Sequence, residues 1–411
     1  TTEIYTLSLH DALPIYINGH RFSVSKELSL KIYKPVINKT SLWVTNWFFP
    51  DKLKYLNNNK DIVKYSDRYW ELMKILAHTL AEYRQNVAMI SPLEHTGFKL
   101  VNNQWTFDFT NFNKLVQLFI DEGVIGRLEG GHLGGRIDGG WLSPFGLSVP
   151  VMENDSVKLK MMSPGDEKLK QFYKAFLPAL YQNIEQKGWA GQYVQHLADE
   201  PINENVASYI ELSKFIKSLV PQLKIIEACH SHLLDNMVDV WVPQLNFLRD
   251  GIDFYTAQQA KGKEVWFYTC LAPKGEFANR FIELPLIKTR LLHWVNYKYG
   301  IPGYLHWGFN YWGTESPYDD TSGIILSSGN ILPGGDSWIV YPGENTIYPS
   351  IRLEAMRDGI VDYELLKMYN QAFPDKAKEM VRTTVYHFEH YDTNIPDFRK
   401  KRKQMLEDLS K

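Results

Sequence analysis

The stretch Tyr193-Val-Gln-His-Leu-Ala-Asp-Glu-Pro201 places two adjacent carboxylates directly before a proline. Val194 and Leu197 favour an extended strand, and Pro201 cannot donate a hydrogen bond to a neighbouring strand, so strand pairing is expected to end here. Neighbouring carboxylates repel each other, which favours the protonated form of one of them. A solvated turn tolerates such a pair, whereas a strand end that faces a pocket can use it for acid–base chemistry. The rest of the chain distinguishes these two interpretations.

The composition is typical of a large folded protein with an aromatic-rich binding surface. Of 411 residues, 44% are hydrophobic and 14% are aromatic, with 12 Trp and 24 Tyr. The net charge of −2 lacks the basic excess of a nucleic-acid-binding protein, so no nucleic-acid partner is predicted. No run of about 18 apolar residues occurs, and no membrane span is predicted. Cys229 and Cys270 lie far apart in apolar runs, which favours buried free thiols over a disulfide or a metal site.

The first 15 residues are not expected to belong to the natural protein. Residues 1–15 resemble the translation of a sequencing adapter whose end, GCT CTT CCG ATC, reads Ala-Leu-Pro-Ile, and they are excluded from fold prediction as non-native. Residues 16–38 alternate loosely between apolar and polar side chains. This pattern predicts the last strands of an N-terminal β domain whose beginning, with any signal region, is missing from the chain.

From residue 39 onward, predicted strands alternate with predicted helices. Strands are predicted at 41–49, 86–93, 123–128, 193–200, 224–228, 237–242, 264–270 and 303–307. Helices are predicted at 67–85, 112–122, 167–187, 206–219, 251–262, 282–299 and 350–369. This alternation predicts an α/β protein with a (β/α)8 barrel of the TIM type at 39–370, followed by a C-terminal helical extension at 371–411. The Gly-rich segment at 130–135 has the wrong spacing for a dinucleotide site, and a loop is predicted up to residue 164.

The working face of such a barrel is built from the C-terminal ends of its strands. Polar and aromatic residues recur there: Trp47, Glu94, His95, Glu129, His132, Asp199, Glu200, His230, His232, Gln244, Asn246, Tyr268, Trp307, Asn310, Tyr311 and Trp312. Each has a structural interpretation when taken alone, since a histidine at a strand end commonly serves only as a hydrogen-bond partner and Trp266 or Trp307 would fit a core. Together they indicate a carbohydrate site, which needs aromatic faces for the sugar ring and polar groups for its hydroxyls.

The adjacency of the two carboxylates restricts the chemistry. Many glycosidases place two carboxylates on opposite sides of the scissile bond, which neighbouring residues cannot easily do. An adjacent pair suits the substrate-assisted exception, in which a 2-acetamido group of the sugar is the nucleophile. Glu200 would then be the acid/base, while Asp199 would steady the amide N–H and the positively charged cyclic intermediate.

Three further motifs accompany Asp199-Glu-Pro201. They are Arg290-Leu-Leu-His-Trp294 with Tyr299-Gly-Ile-Pro-Gly-Tyr-Leu-His-Trp-Gly-Phe-Asn310, then Tyr341-Pro-Gly343, and Ser350-Ile-Arg-Leu-Glu-Ala-Met-Arg-Asp-Gly-Ile-Val-Asp-Tyr-Glu364. With these motifs, most of the segment 41–369 resembles glycoside hydrolase family 123 and the wider DUF4091 group.

The resemblance implies an N-terminal β-sandwich, a (β/α)8 barrel and a retaining exo-β-N-acetylgalactosaminidase that acts by substrate assistance. It implies Glu200 as acid/base and Asp199 as the residue that stabilises the acetamido group. The predicted substrate-binding residues are Trp266, Tyr268, Trp307, Asn310, Trp312, His132, Glu94, His230 and Tyr311. Within the last motif, Arg352, Glu354, Arg357 and Asp358 are predicted to form a buried ion-pair network. A glycan or glycoconjugate substrate, no cofactor, no metal and a periplasmic or extracellular location are expected, while the oligomeric state is not predicted.

Three alternatives remain open on the sequence. One is a glycosidase of the same family with a different sugar preference, and another is a barrel that binds carbohydrate without cleaving it. A third is a metal-dependent hydrolase that uses His95, His132, His230 and His232. Barrel hydrolases of that kind usually carry His-x-His on the first strand, where this sequence has Trp43-Val-Thr-Asn-Trp47.

Overall fold

The computed structural model describes residues 26–153, 156–313, 316–321, 329 and 331–411, with three further short strands near the N-terminus. Only the backbone is described for residues up to 30 and for residue 156. Strand Ile4–Leu9 pairs antiparallel with Lys26–Lys31, and Ile15–Ile17 pairs with His20–Phe22. Strands were predicted within 16–38, where His20–Phe22 and Lys26–Lys31 are strands, whereas Ile4–Leu9 lies in the segment 1–15 that was excluded from the prediction.

Eight short segments of the chain pair in parallel. They are numbered here β1 (Trp43–Asn46), β2 (Val87–Ile90), β3 (Arg127–Gly130), β4 (Tyr193–Gln195), β5 (Ile226–Ala228), β6 (Val240–Val242), β7 (Glu264–Val265 with Phe267–Tyr268) and β8 (Gly303–His306). They form sheets in the orders β2–β3–β4, β5–β6–β7 and β7–β8–β1. A parallel bridge from Gln195 to Ile225 connects β4 with the start of β5, and the Asn86 N–H donates to the Val44 carbonyl at 3.3 Å beside β1 and β2.

Helices separate most of these strands, as predicted. The longer ones are Asp67–Glu82, Thr110–Asp121, Glu167–Gln186, Val206–Leu219, Ile252–Ala260, Leu286–Lys298 and Ile351–Ala372. Shorter helical segments are Pro50–Asn57, Pro92–His95, His232–Leu234 and Leu245–Asp250. Three long helices begin where a side chain accepts a hydrogen bond from the first turn, namely Ser66, Asp166 and Ser350. The chain therefore has an α/β fold, in agreement with the prediction.

Buried side chains form two clusters on either side of the parallel strands. The larger cluster packs the strands against the surrounding helices and includes Leu72, Leu76 and Leu80 of the first long helix. The smaller cluster lies between the strands and comprises Trp47, Val87, Val194, Ile226, Ala228, Val240, Val242, Trp266, Tyr268 and Leu305. Successive residues of a strand point to opposite sides, and because both sides are covered, none of the residues of β1–β8 is exposed, including polar ones such as Glu129 and Glu227.

The Gly-rich segment predicted as a loop up to residue 164 forms an antiparallel sheet instead. Its strands are Gly134–Arg136, Phe145–Glu153 and Ser156–Met162. Gly134 lies so close to the carbonyl of Gly146 that a side chain would not fit between the strands. The prediction failed here because glycines needed for close backbone approach were interpreted as loop formers. Two further antiparallel hairpins, Gly97–Val101 with Gln104–Asp108 and Val340–Gly343 with Thr346–Pro349, were not predicted.

Helices Pro374–Arg382 and Ile395–Asp408 follow the last long helix, as predicted. The predicted ion-pair network is wrong for Arg352, whose guanidinium donates to the backbone carbonyls of Arg280, Gly335 and Trp338 at 2.8 to 3.0 Å. Arg357 does pair with Glu354 at 2.5 Å, and Asp358 pairs with Arg290 at 3.1 Å, but Glu354, Arg357 and Asp358 are partly exposed instead of buried. Asp362 is fully buried and pairs with Arg290 at 2.6 Å. Among the described residues, no helix combines the length and apolarity that a bilayer span requires.

Candidate active site

The residues that follow β4 are held by one buried carboxylate. Strand β4 ends at Gln195, earlier than predicted, and the chain then bends. The backbone N–H groups of Leu197 and Ala198 both donate to Glu227 Oε2 at 3.2 Å, and the Tyr209 hydroxyl donates to the same oxygen at 2.7 Å. Because Glu227 is fully buried and lies within β5, it fixes the position at which this loop leaves the sheet.

The backbone of the carboxylate pair is held from two further sides. The Arg136 guanidinium donates to the carbonyl oxygens of Asp199 at 3.1 Å and Glu200 at 2.9 Å. The Glu200 N–H donates to the carbonyl oxygen of Ala228, the last residue of β5, at 3.1 Å. Glu200 has a left-handed backbone, with φ of 51°. Non-glycine residues in this conformation carry strain that the surrounding structure must offset, and they are frequent at functional sites. At this bend the side chains of Asp199 and Glu200 point toward different neighbouring residues.

Glu200 faces a tyrosine and a histidine. The Tyr268 hydroxyl donates to Glu200 Oε1, and His230 Nε2 lies 2.7 Å from the Tyr268 oxygen and 3.6 Å from Glu200 Oε1. Desolvation, and after it the negative charge of Asp199, raises the pKa of Glu200. Desolvation also lowers the pKa of His230, which favours the neutral imidazole. A carboxyl group with a raised pKa in a partly enclosed site can hold a proton for transfer.

Asp199 is more exposed and faces a different histidine. Half of its side-chain surface is accessible, at 50%, and Asp199 Oδ1 lies 4.0 Å from His132 Nε2. Desolvation within the site, followed by the charge of Glu227, raises the pKa of Asp199 to about 6. The side chain is therefore largely ionised at neutral pH and can accept a hydrogen bond from a ligand N–H.

A buried imidazole lies beneath the pair. His196 Nε2 is 3.3 Å from Glu129 and His196 Nδ1 is 3.4 Å from Glu227, with all three side chains inaccessible to solvent. Burial alone would lower the pKa of His196, but the hydrogen bonds and charges of the two carboxylates raise it to about 9. Thr45 donates to Glu129 at 2.7 Å and completes the network. A buried charge that is paired in this way fixes the geometry of the loop above it.

This network also contains the one group of potential metal ligands found among the described residues. Donor atoms of His132, His196 and Glu227 lie within 4.8 Å of one another. Both nitrogens of His196 face carboxylates and its pKa is raised, so the protonated ring offers no lone pair to a cation. The cluster therefore fits an ion-pair network better than a metal centre.

The four histidines of the metal-hydrolase alternative do not converge. His95 lies 3.0 Å from the Tyr65 hydroxyl, and His232 stacks on Phe254 with ring centroids 4.0 Å apart. His230 contacts Glu200, whereas His132 faces Asp199.

Five of the nine predicted substrate-binding residues fall into two groups. Tyr268, His230 and His132 lie directly around the carboxylate pair. Trp307 and Tyr311 are partly exposed and lie next to each other, with ring centroids 5.5 Å apart. Each of these two rings also contacts Phe49, at 6.2 and 4.6 Å, so they form an aromatic surface at the ends of β1 and β8.

Three of the predicted substrate-binding residues are buried and have structural contacts instead. Trp266 is fully buried between the strands, where its ring abuts Gly303. Trp312 is also buried and its indole N–H donates to the Val340 carbonyl at 2.9 Å. Asn310 is buried and bonds both the N–H and the carbonyl of Phe49, at 2.8 and 3.1 Å.

Glu94, also predicted to bind substrate, is exposed. It lines a separate surface cavity of about 380 Å³, together with Pro50, Lys54, Lys64 and His95. The helix Pro92–His95 that follows β2 carries Glu94 to the exposed surface.

Several residues near the site were not predicted. Arg136 lies in the segment that was interpreted as a loop. Glu227 stands inside the apolar strand Ile226–Ala228, and a carboxylate in such a position is a signal that the sequence did offer. Asp336 is buried and accepts a hydrogen bond from the Trp307 indole at 3.2 Å. Burial raises the pKa of Asp336 to about 7.

We expect Glu227→Gln to lower the free energy of unfolding by about 3–5 kcal/mol. The substitution leaves protonated His196 with one carboxylate instead of two and turns an amide N–H toward the backbone donors of Leu197 and Ala198. Urea denaturation measures the change. The matched control is Glu211→Gln on an exposed face of the helix Val206–Leu219, which should change stability by less than about 0.5 kcal/mol. Equal stability of the two variants would contradict the assigned role of Glu227.

The parallel α/β fold, with adjacent carboxylates at the ends of its strands and aromatic rings beside them, is typical of an enzyme that hydrolyses glycosides. A sequence model described as "Glycoside hydrolase 123, catalytic domain" matches residues 47–369. The chain belongs to glycoside hydrolase family 123, which confirms the family identified from its motifs and the prediction of a glycoside hydrolase.

A comparison with solved structures returns several glycoside hydrolases. A family 123 glycoside hydrolase from Clostridium perfringens, analysed for the details of glycolipid glycan hydrolysis, matches 100% of this chain and 76% of its own, with a TM-score of 0.72 and 16% sequence identity. The endo-β-1,4-mannanase of Thermotoga petrophila matches 79% of this chain and 77% of its own, with a TM-score of 0.44 and 14% identity. The GH10 xylanase of Thermobacillus composti matches 68% of this chain and 92% of its own, with a TM-score of 0.37 and 10% identity. The first comparison shows a shared fold. No curated protein matches the chain.

Proposed function

We propose that this enzyme is a retaining exo-hydrolase that removes β-linked N-acetylgalactosamine by substrate-assisted catalysis. The observation that carries the proposal is the divergence of two adjacent carboxylates. Asp199 is half exposed and faces His132, whereas Glu200 faces Tyr268 and His230. One carboxylate can therefore reach the acetamide of a bound sugar while its neighbour reaches the glycosidic oxygen.

In the first step, the acetamide oxygen of the sugar attacks C1 and the bond from C1 to the leaving oxygen breaks. Glu200 donates its proton to that oxygen, and its raised pKa keeps the proton available. The Asp199 carboxylate accepts a hydrogen bond from the amide N–H and offsets the positive charge of the cyclic intermediate. In the second step, Glu200 removes a proton from water, which attacks C1 and reopens the ring. Two inversions at C1 retain the configuration.

The partly exposed rings of Trp307 and Tyr311 are the best candidates for contact with the apolar face of the sugar. Their position is supported by Asp336, which holds the Trp307 indole, and by the contacts of both rings with Phe49. The enzyme from Clostridium perfringens is described for glycolipid glycan hydrolysis. We extend this substrate class to the present chain and propose a glycoconjugate glycan as the substrate.

We also propose that β1–β8 close into one (β/α)8 barrel within 39–370, preceded by the end of a β-sandwich at 16–38 and followed by a helical extension at 371–411. Support comes from the two consecutive parts of β7, since Glu264–Val265 pairs with β6 and Phe267–Tyr268 pairs with β8, and from the bridge between Gln195 and Ile225. The buried cluster between the strands fits a barrel interior. An experimental structure with an open edge between β1 and β2 would refute closure.

The activity should follow a bell-shaped pH profile. Asp199 acts as the anion, so kcat/KM should fall as the pH drops below the raised pKa of about 6, whereas an exposed aspartate would titrate near about 4. Glu200 acts as the acid, so kcat/KM should fall again once the pH exceeds its own raised pKa. The two apparent values belong to the pair. Activity that stays constant down to pH about 4 would contradict the role of Asp199.

A substrate series tests the proposal against the alternatives. The enzyme should hydrolyse an aryl β-N-acetylgalactosaminide faster than the corresponding glucosaminide and should not hydrolyse the plain galactoside, which has no acetamide. Faster turnover of the glucosaminide would assign a different sugar preference within the same mechanism. Similar turnover of the plain galactoside would exclude substrate assistance. Binding of the sugars without any turnover would favour the non-catalytic alternative.

A further inference from the structure

An exposed tryptophan lies beside the carboxylate pair and has no role in the proposed chemistry. Trp141 is 50% exposed and belongs to the turn between the strands Gly134–Arg136 and Phe145–Glu153. Its ring centroid lies 6.4 Å from that of His230, which contacts the acid/base candidate Glu200. An exposed indole next to acid–base residues offers an apolar face on which a sugar ring can stack.

The position of Trp141 is fixed by the same arginine that holds the catalytic backbone. The Arg136 guanidinium stacks on the indole at 4.1 Å and its Nε donates to the Trp141 carbonyl at 2.9 Å. The remaining nitrogens of Arg136 bond the carbonyls of Asp199 and Glu200. Asn205 donates to the Trp141 carbonyl from another side, at 3.2 Å. The indole is thus held at a defined distance from the two carboxylates, and little conformational entropy would be lost when a ligand stacks on it.

A second exposed ring lies against the same histidine. Phe247 is 36% exposed and its ring centroid lies 4.4 Å from that of His230. Trp141 and Phe247 are therefore both neighbours of the histidine that contacts Glu200, whereas Asp199 faces His132.

We propose that Trp141 and Phe247, which both lie against His230, form a binding site for the leaving-group sugar of the glycan substrate. The inference rests on the proposed function. Glu200 must lie next to the glycosidic oxygen, and the ring that carries the acetamide lies on the Asp199 side of that oxygen. The next sugar of the glycan consequently extends over the Glu200 side, where its apolar face meets the exposed indole. The site would favour substrates in which N-acetylgalactosamine is linked to another pyranose over substrates with a small leaving group.

The test compares two substrates in the wild-type enzyme and in Trp141→Ala. One substrate is a disaccharide with a β-linked N-acetylgalactosamine on galactose, and the other is N-acetylgalactosaminyl β-fluoride, whose leaving group has no ring. Trp141→Ala should lower kcat/KM for the disaccharide by about 3- to 10-fold relative to the fluoride. Leu142→Ala is the matched control, because Leu142 is the next residue of the same turn and is 64% exposed. It should leave the ratio between the substrates unchanged.

The outcomes separate this inference from the function on which it rests. If wild-type enzyme cleaves both substrates and Trp141→Ala slows both equally, Trp141 acts only through Arg136 on the catalytic backbone and the sugar site is refuted. If Trp141→Ala changes neither kcat/KM value, and therefore not their ratio, the sugar site is refuted as well. If wild-type enzyme cleaves neither substrate, the proposed function itself fails and the leaving-group site falls with it.

Discussion

Replacement of Glu200 by glutamine is expected to lower kcat/KM by about 10²- to 10⁴-fold for substrates with poor leaving groups. Glutamine has nearly the same shape and can still accept the hydrogen bond from Tyr268, but it has no proton to donate to the leaving oxygen. Substrates whose leaving group needs no protonation, such as a glycosyl fluoride, should lose far less. The measurement is a comparison of kcat/KM for an alkyl glycoside and the fluoride in the two enzymes.

The control for this variant is Glu204→Gln, which removes an exposed carboxylate from the same loop. It should retain wild-type rates with both substrates. Far-ultraviolet circular dichroism and the unfolding midpoint establish that Glu200→Gln is folded. An equal loss with the two substrates would show that Glu200 does not act as the acid.

Replacement of Asp199 by asparagine is expected to lower kcat/KM by about 10²- to 10³-fold, whatever the leaving group. The substitution removes the negative charge that offsets the cyclic intermediate and replaces one acceptor oxygen by a donor. It also removes the main repulsion acting on Glu200, so the pKa of Glu200 should fall and the alkaline limb of the pH profile should move to lower pH. Kinetics with 2-acetamido substrates over a range of pH measure both effects.

The two variants differ in their dependence on the leaving group, and this difference assigns the two roles. If Asp199→Asn lowers kcat/KM for the alkyl glycoside but not for the fluoride, then Asp199 is the acid and Glu200 stabilises the acetamido group. Near-wild-type activity in Asp199→Asn would contradict its participation. Glu204→Gln serves again as the control, since it removes one negative charge nearby without changing the site.

Much of the fold follows from sequence periodicity. Helices such as Asp67–Glu82 and Val206–Leu219 have apolar residues on one face and clear first and last residues, and the sequence located them closely. The parallel strands are short and covered on both sides, so their sequences lack a clear alternation of apolar and polar residues. Their existence was predicted, but their ends were misplaced by a few residues. That error matters at Glu129, which was expected beyond a strand end but lies fully buried inside β3.

The sequence identified the site residues that are adjacent in the chain. It did not identify residues whose role depends on the direction in which the side chain points. Asp199 and Glu200 stand together in the sequence, and the structure holds them at the same strand end. Trp266 and Tyr268 lie two residues apart in β7, and only Tyr268 contacts Glu200. The sequence around Trp266 does not show that its ring packs against Gly303. That contact depends on the pairing of β7 with β8, which comes from a later part of the chain.

Arg136 and Trp141 were missed for a different reason. They flank a turn between antiparallel strands whose glycines were interpreted as a loop, and Arg136 acts on backbone carbonyls that carry no sequence signal. Glu227 was missed because strand predictions favour apolar neighbours and disregard a single buried carboxylate. A polar residue inside an apolar strand is the pattern that would have identified it.

The most direct test of substrate assistance is kcat/KM for aryl β-galactosaminides whose N-acetyl group carries zero, one, two or three fluorine atoms. Each fluorine withdraws electron density from the amide oxygen and makes it a poorer nucleophile. If that oxygen attacks C1, with Asp199 holding the amide and Glu200 protonating the leaving group, kcat/KM should fall with every fluorine added. A rate independent of fluorination would show that the acetamide is not the nucleophile and would contradict the mechanism.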